Sequence, residues 1–191
     1  MDQFAVIRAK ARALREEAQV ADSLPAIEVA RRVAAHRGLD IRAHPPDYHE
    51  LEGAHGVLDR GFGQILVRNN LRDDELAEVV AHEIGHFCVH EGPERGYYPR
   101  ANSGGGDPSQ RIETYGIKER REAQANSFGR ELILPRPLAR RLFTAGMSAA
   151  RISAELNVRY ELTLQQLADG LLLPDLAVEP PKPDAAPDPC N

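Results

Sequence analysis

Two histidines and a glutamate stand at a spacing that could hold a metal ion and activate water. His82, Glu83 and His86 form a His-Glu-x-x-His pattern. Residues four apart on a helix share a face, so both imidazoles can bind one zinc ion. The carboxylate of Glu83 can then reach a water on that metal and act as general base. The pattern predicts metal-assisted hydrolysis, but five residues alone also arise by chance.

A hydrolytic zinc site needs a third protein ligand and one open position for water. The arrangement that continues with His-x-x-Gly-x-x-His is excluded, because the required glycine and histidine are replaced by Val89 and Gly92. His90 lies about 12 Å along the helix axis from His82 at 1.5 Å per residue, too far to share its metal. A second helix must therefore supply the ligand.

Residues 118–135 are the best candidate for that second helix. Glu122 and Asn126 are four residues apart in it. Glu122 could bind the metal, while Asn126 could hydrogen-bond a ligating histidine from behind. Small residues would let the two helices approach closely, namely Gly85, Ala125 and Gly129.

The two motifs together resemble the ImmA/IrrE family of bacterial zinc metallopeptidases. The first motif covers residues 82–87 with His90 after it, and the second reads Glu-x-x-Ala-Asn-x-Phe from Glu122 and ends in Leu-Pro. The resemblance covers residues 25–145; Gly129 stands where a family member usually has alanine. It implies a zincin-like fold, zinc on His82, His86 and Glu122, and Glu83 as catalytic base. It also implies cleavage of helix-turn-helix repressors, which releases genes of DNA-damage response or mobile elements.

Composition excludes several other classes of function. The net charge of −5 is unsuited to a general nucleic-acid binder, which needs a basic face. No run approaches the roughly 18 apolar residues of a membrane span. The N-terminus lacks the apolar block of a secretory signal, and two cysteines give no disulfide framework. We therefore expect a cytoplasmic protein without membrane contact.

Apolar periodicity predicts an α+β fold in which two helices and a small twisted sheet of three strands precede the zinc helix. The strands are expected at residues 39–43, 56–58 and 64–68. The last is a candidate edge strand to which an extended substrate could add, with an ordinary sheet strand as the alternative. The basic residues of the first helix are expected to be solvated, namely Arg8, Lys10, Arg12 and Arg15.

Residues 91–118 are rich in glycine and proline and predict a long loop over the site. A hydrogen-bond donor to the oxyanion could come from a tyrosine of this region or from the preceding histidine. The candidates for that role are His90, Tyr97, Tyr98 and Tyr115.

A small helical module is expected at residues 146–173, packed on a zincin-like domain formed by residues 1–145. Its two short helices resemble a helix-turn-helix, the second opening with a capping box at Thr163 and Gln166. The charge balance of residues 147–175 is −2, which favours packing or substrate docking over DNA binding. The proline-rich residues 174–191 read as a disordered tail or linker, which would suit the N-terminal part of a longer chain.

The sequence thus predicts a zinc endopeptidase whose partner is a protein substrate, with a helix-turn-helix repressor as the expected class. Two alternatives stay open. One is a non-catalytic regulatory protein that keeps the zincin fold and binds a partner. The other is a DNA-binding regulator that uses its C-terminal helices.

Overall fold

The computed structural model describes residues 3–90, 96–97 and 116–173. Within these residues helices and strands combine in a mixed α+β fold. The helices are α1 (Gln3–Glu17), α2 (Ala26–His36), α3 (Asp73–Val89), α4 (Ile117–Ile133), α5 (Arg136–Thr144), α6 (Ala149–Leu156) and α7 (Tyr160–Leu172). The strands are β1 (Asp40–His44), β2 (Gly56–Asp59), β3 (Gln64–Arg68) and β4 (Gly96–Tyr97).

The three expected strands form a mixed sheet, and the short β4 extends it to the order β1-β3-β2-β4. β1 runs parallel to β3, whereas β2 pairs antiparallel with both β3 and β4. The prediction that residues 64–68 form an edge strand is wrong, because β3 has a neighbour on each side. β1 lies beside β3 rather than beside β2, which follows it in the chain. The turn residues did not indicate this parallel pairing.

The metal-site helix α3 lies in the centre of the buried core. Val80 and Ile84 are fully buried, and α3 packs against α2, α4 and strands β2 and β3. A helix that is apolar on most of its circumference is typical of such an interior position. The few polar side chains on α3 that face inward are therefore enclosed by protein.

Contrary to expectation, most of the basic residues of α1 are not solvated. Arg8 and Arg15 are buried, and Arg12 forms an ion pair of 2.5 Å with the fully buried Glu131 on α4. The spacing of residues 8, 12 and 15 explains this, because residues four and three apart lie on one helical stripe. That stripe borders the apolar one that packs on α4.

The C-terminal helices pack on the same apolar cluster as the rest of the chain. Ile152, Leu162 and Leu167 belong to the cluster that also holds Phe128 and Leu134. The boundary at residue 145 stays a prediction. Residues 174–191 and most of the loop at 91–118 lie outside the described residues.

The expected start of the last helix is wrong. α7 begins at Tyr160, and Thr163 is buried in its first turn with its hydroxyl donating to the carbonyl oxygen of Arg159. The predicted capping box is therefore absent from this described helix. Gln166 is also buried. In the part of the chain with described structure, no helix has the length and apolar character needed to cross a membrane.

Candidate metal centre

Both ends of α3 are held by hydrogen bonds. At its N-terminus the carboxylate of Glu75 accepts from the backbone N–H of Arg72 at 3.1 Å, and Asp73 and Asp74 place further negative charge in the first turn. At its C-terminus the guanidinium of Arg60 donates to the carbonyl oxygens of His86 and His90 at 2.5 and 2.6 Å. These contacts fix the helix that carries the histidines.

Small residues bring α3 and α4 close together, as their positions in the sequence predicted. A Cβ atom added to Gly85 would lie 2.8 Å from the carbonyl oxygen of Ala125, and one added to Gly129 would lie 3.0 Å from the backbone of Ala81 and His82. Contacts under 3.0 Å essentially never occur for real Cβ atoms. The backbones therefore approach to a distance that larger side chains would prevent.

The close approach brings His82, His86 and Glu122 into one cluster, a possible metal site. One ligand atom from each of the three lies within 4.8 Å of the others. The Nε2 atoms of the two histidines are 2.9 Å apart. The Glu122 carboxylate places its two oxygens 3.3 Å from the Nε2 of His82 and 3.4 Å from that of His86.

A side chain of α4 also contacts the far side of one histidine. The Oδ1 of Asn126 lies 3.0 Å from the Nδ1 of His82. An amide oxygen can only accept, so His82 donates from Nδ1 and its Nε2 keeps a lone pair. That lone pair faces Glu122 and His86, which is the arrangement that a metal ligand requires.

Glu122 is positioned to hold negative charge. Burial alone would raise the pKa of its carboxyl group, but hydrogen bonds and charge from the protonated rings of His82 and His86 outweigh burial and lower it to about 2. An ionised carboxylate between two imidazole nitrogens is a donor set of the kind that zinc accepts.

Glu83 lies beside this cluster and is fully buried. Among the described residues neither of its carboxylate oxygens has a hydrogen-bond partner of good geometry. Burial, followed by the negative charge of Glu122, raises the pKa of Glu83 well above its usual value, although the backbone of Leu58 on β2 opposes this. A buried carboxyl group without a partner is costly, so its presence points to a function.

The structure describes only two of the four candidate oxyanion donors, His90 and Tyr97. Both ring nitrogens of His90 already face protein atoms, with Nδ1 at 3.1 Å from the Nδ1 of His86 and Nε2 at 3.0 Å from the Oε1 of Gln124. This placement argues against His90 as a donor to substrate. Tyr97 belongs to β4, and Tyr98 and Tyr115 lie outside the described residues.

Two residues at the site were missed by sequence reasoning. Arg60 follows β2 and holds the end of α3, and no local pattern marks it. Gln124 is buried against His90 on α4. Its position between Glu122 and Asn126 in one helix was the only available signal.

The comparisons with known proteins agree with this geometry. The Peptidase_M78 model, described as IrrE N-terminal-like domain, matches residues 34–171. A protein of Bacillus phage phi105, named uncharacterized immunity region protein 2, is 32% identical over 88 residues, which are 46% of this chain and 48% of that protein. The chain therefore matches about half the length of this relative. No solved structure gives a significant match.

Proposed function

Because this chain belongs to the peptidase M78 family of metallopeptidases with an IrrE N-terminal-like domain, we propose that it is a zinc-dependent endopeptidase that cleaves a helix-turn-helix repressor. The family implies a zincin-like fold, and the cluster of His82, His86 and Glu122 supplies the possible metal site. Beyond the family and the possible metal site, we propose zinc as the metal, a peptide bond as the bond that is cleaved and a repressor as the substrate.

The convergence of electron-pair donors at the cluster is the observation that carries the proposal. The Nε2 of His82 holds a lone pair and lies 2.9 Å from the Nε2 of His86, beside an ionised carboxylate. Acceptors crowded together repel one another unless a cation lies among them. Two imidazoles and one carboxylate form a ligand set of catalytic zinc sites. When bound, zinc supplies a Lewis acid that polarises the substrate carbonyl and lowers the pKa of water.

The residues of the chain would divide the remaining work. Glu83 accepts a proton from the water that attacks the peptide carbonyl, then passes it to the departing amine. Its buried carboxyl group has no well-aligned partner among the described residues, so it is available for this proton. Burial and the negative charge of Glu122 raise the pKa of its carboxyl group, which makes its carboxylate a stronger base. Asn126 orients His82.

The substrate class rests on two similarities. The paired motifs resemble those of the ImmA/IrrE family, whose members cut helix-turn-helix repressors. The phage relative is named for an immunity region. A repressor encoded next to the gene is therefore the first substrate to test.

The test incubates the zinc-loaded protein with the helix-turn-helix repressor encoded nearest its gene and follows the reaction by gel and mass spectrometry. We expect two defined fragments from the wild-type protein and at least a hundredfold slower cleavage by Glu83→Gln, the lower end for loss of a general base. Glu75→Gln is the matched control, because it makes the same change on α3 far from the cluster and keeps a capping oxygen.

Zinc content distinguishes the alternatives. The proposal requires that Glu83→Gln loses cleavage but still binds zinc. Equal biological effect of both proteins without cleavage would instead identify a non-catalytic regulator. Gln166 is buried and Asp169 pairs with Arg136, which weighs further against the DNA-binding alternative. Absence of a gel shift at low salt would count further against it.

A further inference from the structure

A third histidine, directly after the end of α3, continues the row of imidazoles beyond the metal cluster. His82, His86 and His90 are spaced four residues apart and therefore lie along one face of the helix. Each of them contacts a side chain of α4. Asn126 contacts His82, Glu122 contacts both His82 and His86, and Gln124 contacts His90. The pairing of Gln124 with His90 has no part in the proposed chemistry.

The contacts form a chain with a defined direction. The Oε1 of Gln124 lies 3.0 Å from the Nε2 of His90, and the Nδ1 of His90 lies 3.1 Å from the Nδ1 of His86. An amide oxygen accepts, so His90 donates from Nε2 and keeps a lone pair on Nδ1. That lone pair accepts the proton on the Nδ1 of His86. The Nε2 of His86, which faces Glu122, is then free of a proton.

The reverse direction is incompatible with a metal ligand. If His90 donated from Nδ1, His86 would accept on Nδ1 and carry its proton on Nε2, where Glu122 and His82 converge. The oxygen of Gln124 therefore selects the tautomer of His86 through an intervening ring. The backbone of His90 is held as well, since Arg60 donates to its carbonyl oxygen at 2.6 Å.

We propose that His90 and Gln124 are positioning residues that hold His86 in the tautomer and orientation required for metal binding. This inference rests on the proposed function and deepens it. It replaces the expected role of His90 as an oxyanion donor. The arrangement parallels that of Asn126 at His82, so each histidine ligand has its own partner behind the ring.

The test measures zinc affinity by competition with a chromophoric chelator. His90→Phe keeps a ring but removes the acceptor, and we expect zinc to bind 10- to 100-fold more weakly, the usual effect of losing such a partner. Gln124→Met should weaken binding less, because His90 remains. Gln124→Glu keeps an acceptor oxygen and should restore affinity to within about threefold of wild type. His36→Phe is the matched control, because His36 lies at the end of α2 outside the cluster.

A second measurement uses the metal-free protein and does not depend on activity. The ¹⁵N shifts of His86 should report a proton on Nδ1 in the wild type and in Gln124→Glu, and a mixture of tautomers in His90→Phe. Circular dichroism establishes that each variant is folded; if His90→Phe unfolds, Gln124→Met carries the same comparison.

The outcomes separate this inference from the proposed function. Unchanged zinc affinity and an unchanged His86 tautomer in folded His90→Phe or Gln124→Met would overturn the inference, and slower cleavage alone would return His90 to the oxyanion role. A wild-type protein that binds no zinc would overturn the proposed function, while the tautomer measurement would still decide whether His90 orients His86.

Discussion

Two fully buried carboxylates on neighbouring helices, Glu83 on α3 and Glu131 on α4, lie in opposite polar environments. Glu131 receives a hydrogen bond of 2.5 Å from Arg12, and both the side-chain amide of Gln166 and the backbone N–H of Arg136 reach it at 3.4 Å. Glu83 has no comparable partner among the described residues. Both carboxyl groups are therefore buried, but only the oxygens of Glu131 have close hydrogen-bond donors among the described residues.

The contacts around Glu131 join distant parts of the chain. Arg15 of α1 donates to the carbonyl oxygen of Leu132 at 2.6 Å, and Gln166 of α7 donates to that of Leu134 at 2.6 Å. Helices from both ends of the chain thus satisfy carbonyl groups at the end of α4, which would otherwise lack partners. The carboxylate of Glu131 balances the positive charge of Arg12 and Arg15. We infer that a partnered carboxylate of this kind serves the fold, whereas the unpartnered Glu83 serves the reaction.

The same substitution at both positions is the strongest test of this comparison. Glu131→Leu removes the buried carboxylate that pairs with Arg12, and the free energy of unfolding should fall by about 3 kcal/mol, the lower end for breaking a buried pair because Arg12 is partly exposed. Urea denaturation of the metal-free protein measures it. Glu131→Gln keeps an acceptor and should lose less. A loss below about 0.5 kcal/mol, the range of ordinary surface changes, would show that the cluster does not stabilise the fold.

Glu83→Leu should have the opposite effect on stability. It removes a fully buried carboxyl group whose oxygens have no well-aligned partner among the described residues, so the free energy of unfolding should rise by about 1 kcal/mol while cleavage is lost. The same urea titration measures the stability. A fall of similar size would mean that Glu83 has a stabilising partner, and the contrast with Glu131 would then collapse.

The difference between the two carboxylates also explains what the sequence could predict. His82, Glu83 and His86 lie within one helical turn or so, and their shared motif with Glu122 and Asn126 depends on spacing along two helices. Small residues at positions 85, 125 and 129 made the close approach of those helices readable as well. Patterns that are local in the chain therefore revealed the cluster and the catalytic candidate.

Features that depend on distant pairing could not be read in the same way. Arg12 and Glu131 are separated by 119 positions, so the local sequence around either residue does not indicate the ion pair. The interior position of β3 follows from the parallel pairing with β1. The link from Gln124 through His90 to His86 requires knowing which rings face each other. Each of these features arises from a contact between separate helices or strands and not from the spacing of residues along one of them.

The close contact of α3 with α4 predicts a modest effect on stability and on metal binding. Alanine in place of Gly85 gains about 1 kcal/mol of helix propensity, but its Cβ would meet the backbone oxygen of Ala125 at 2.8 Å. Overpacking of this kind costs about 1–3 kcal/mol, so we expect a net loss of about 1 kcal/mol and weaker zinc binding. Gly129→Ala is the comparison variant, because its Cβ would meet the backbone of Ala81 and His82 at 3.0 Å, a milder overlap from which we expect a smaller loss of stability. If Gly85→Ala binds zinc as tightly as the wild-type protein, the cluster does not need this helix separation.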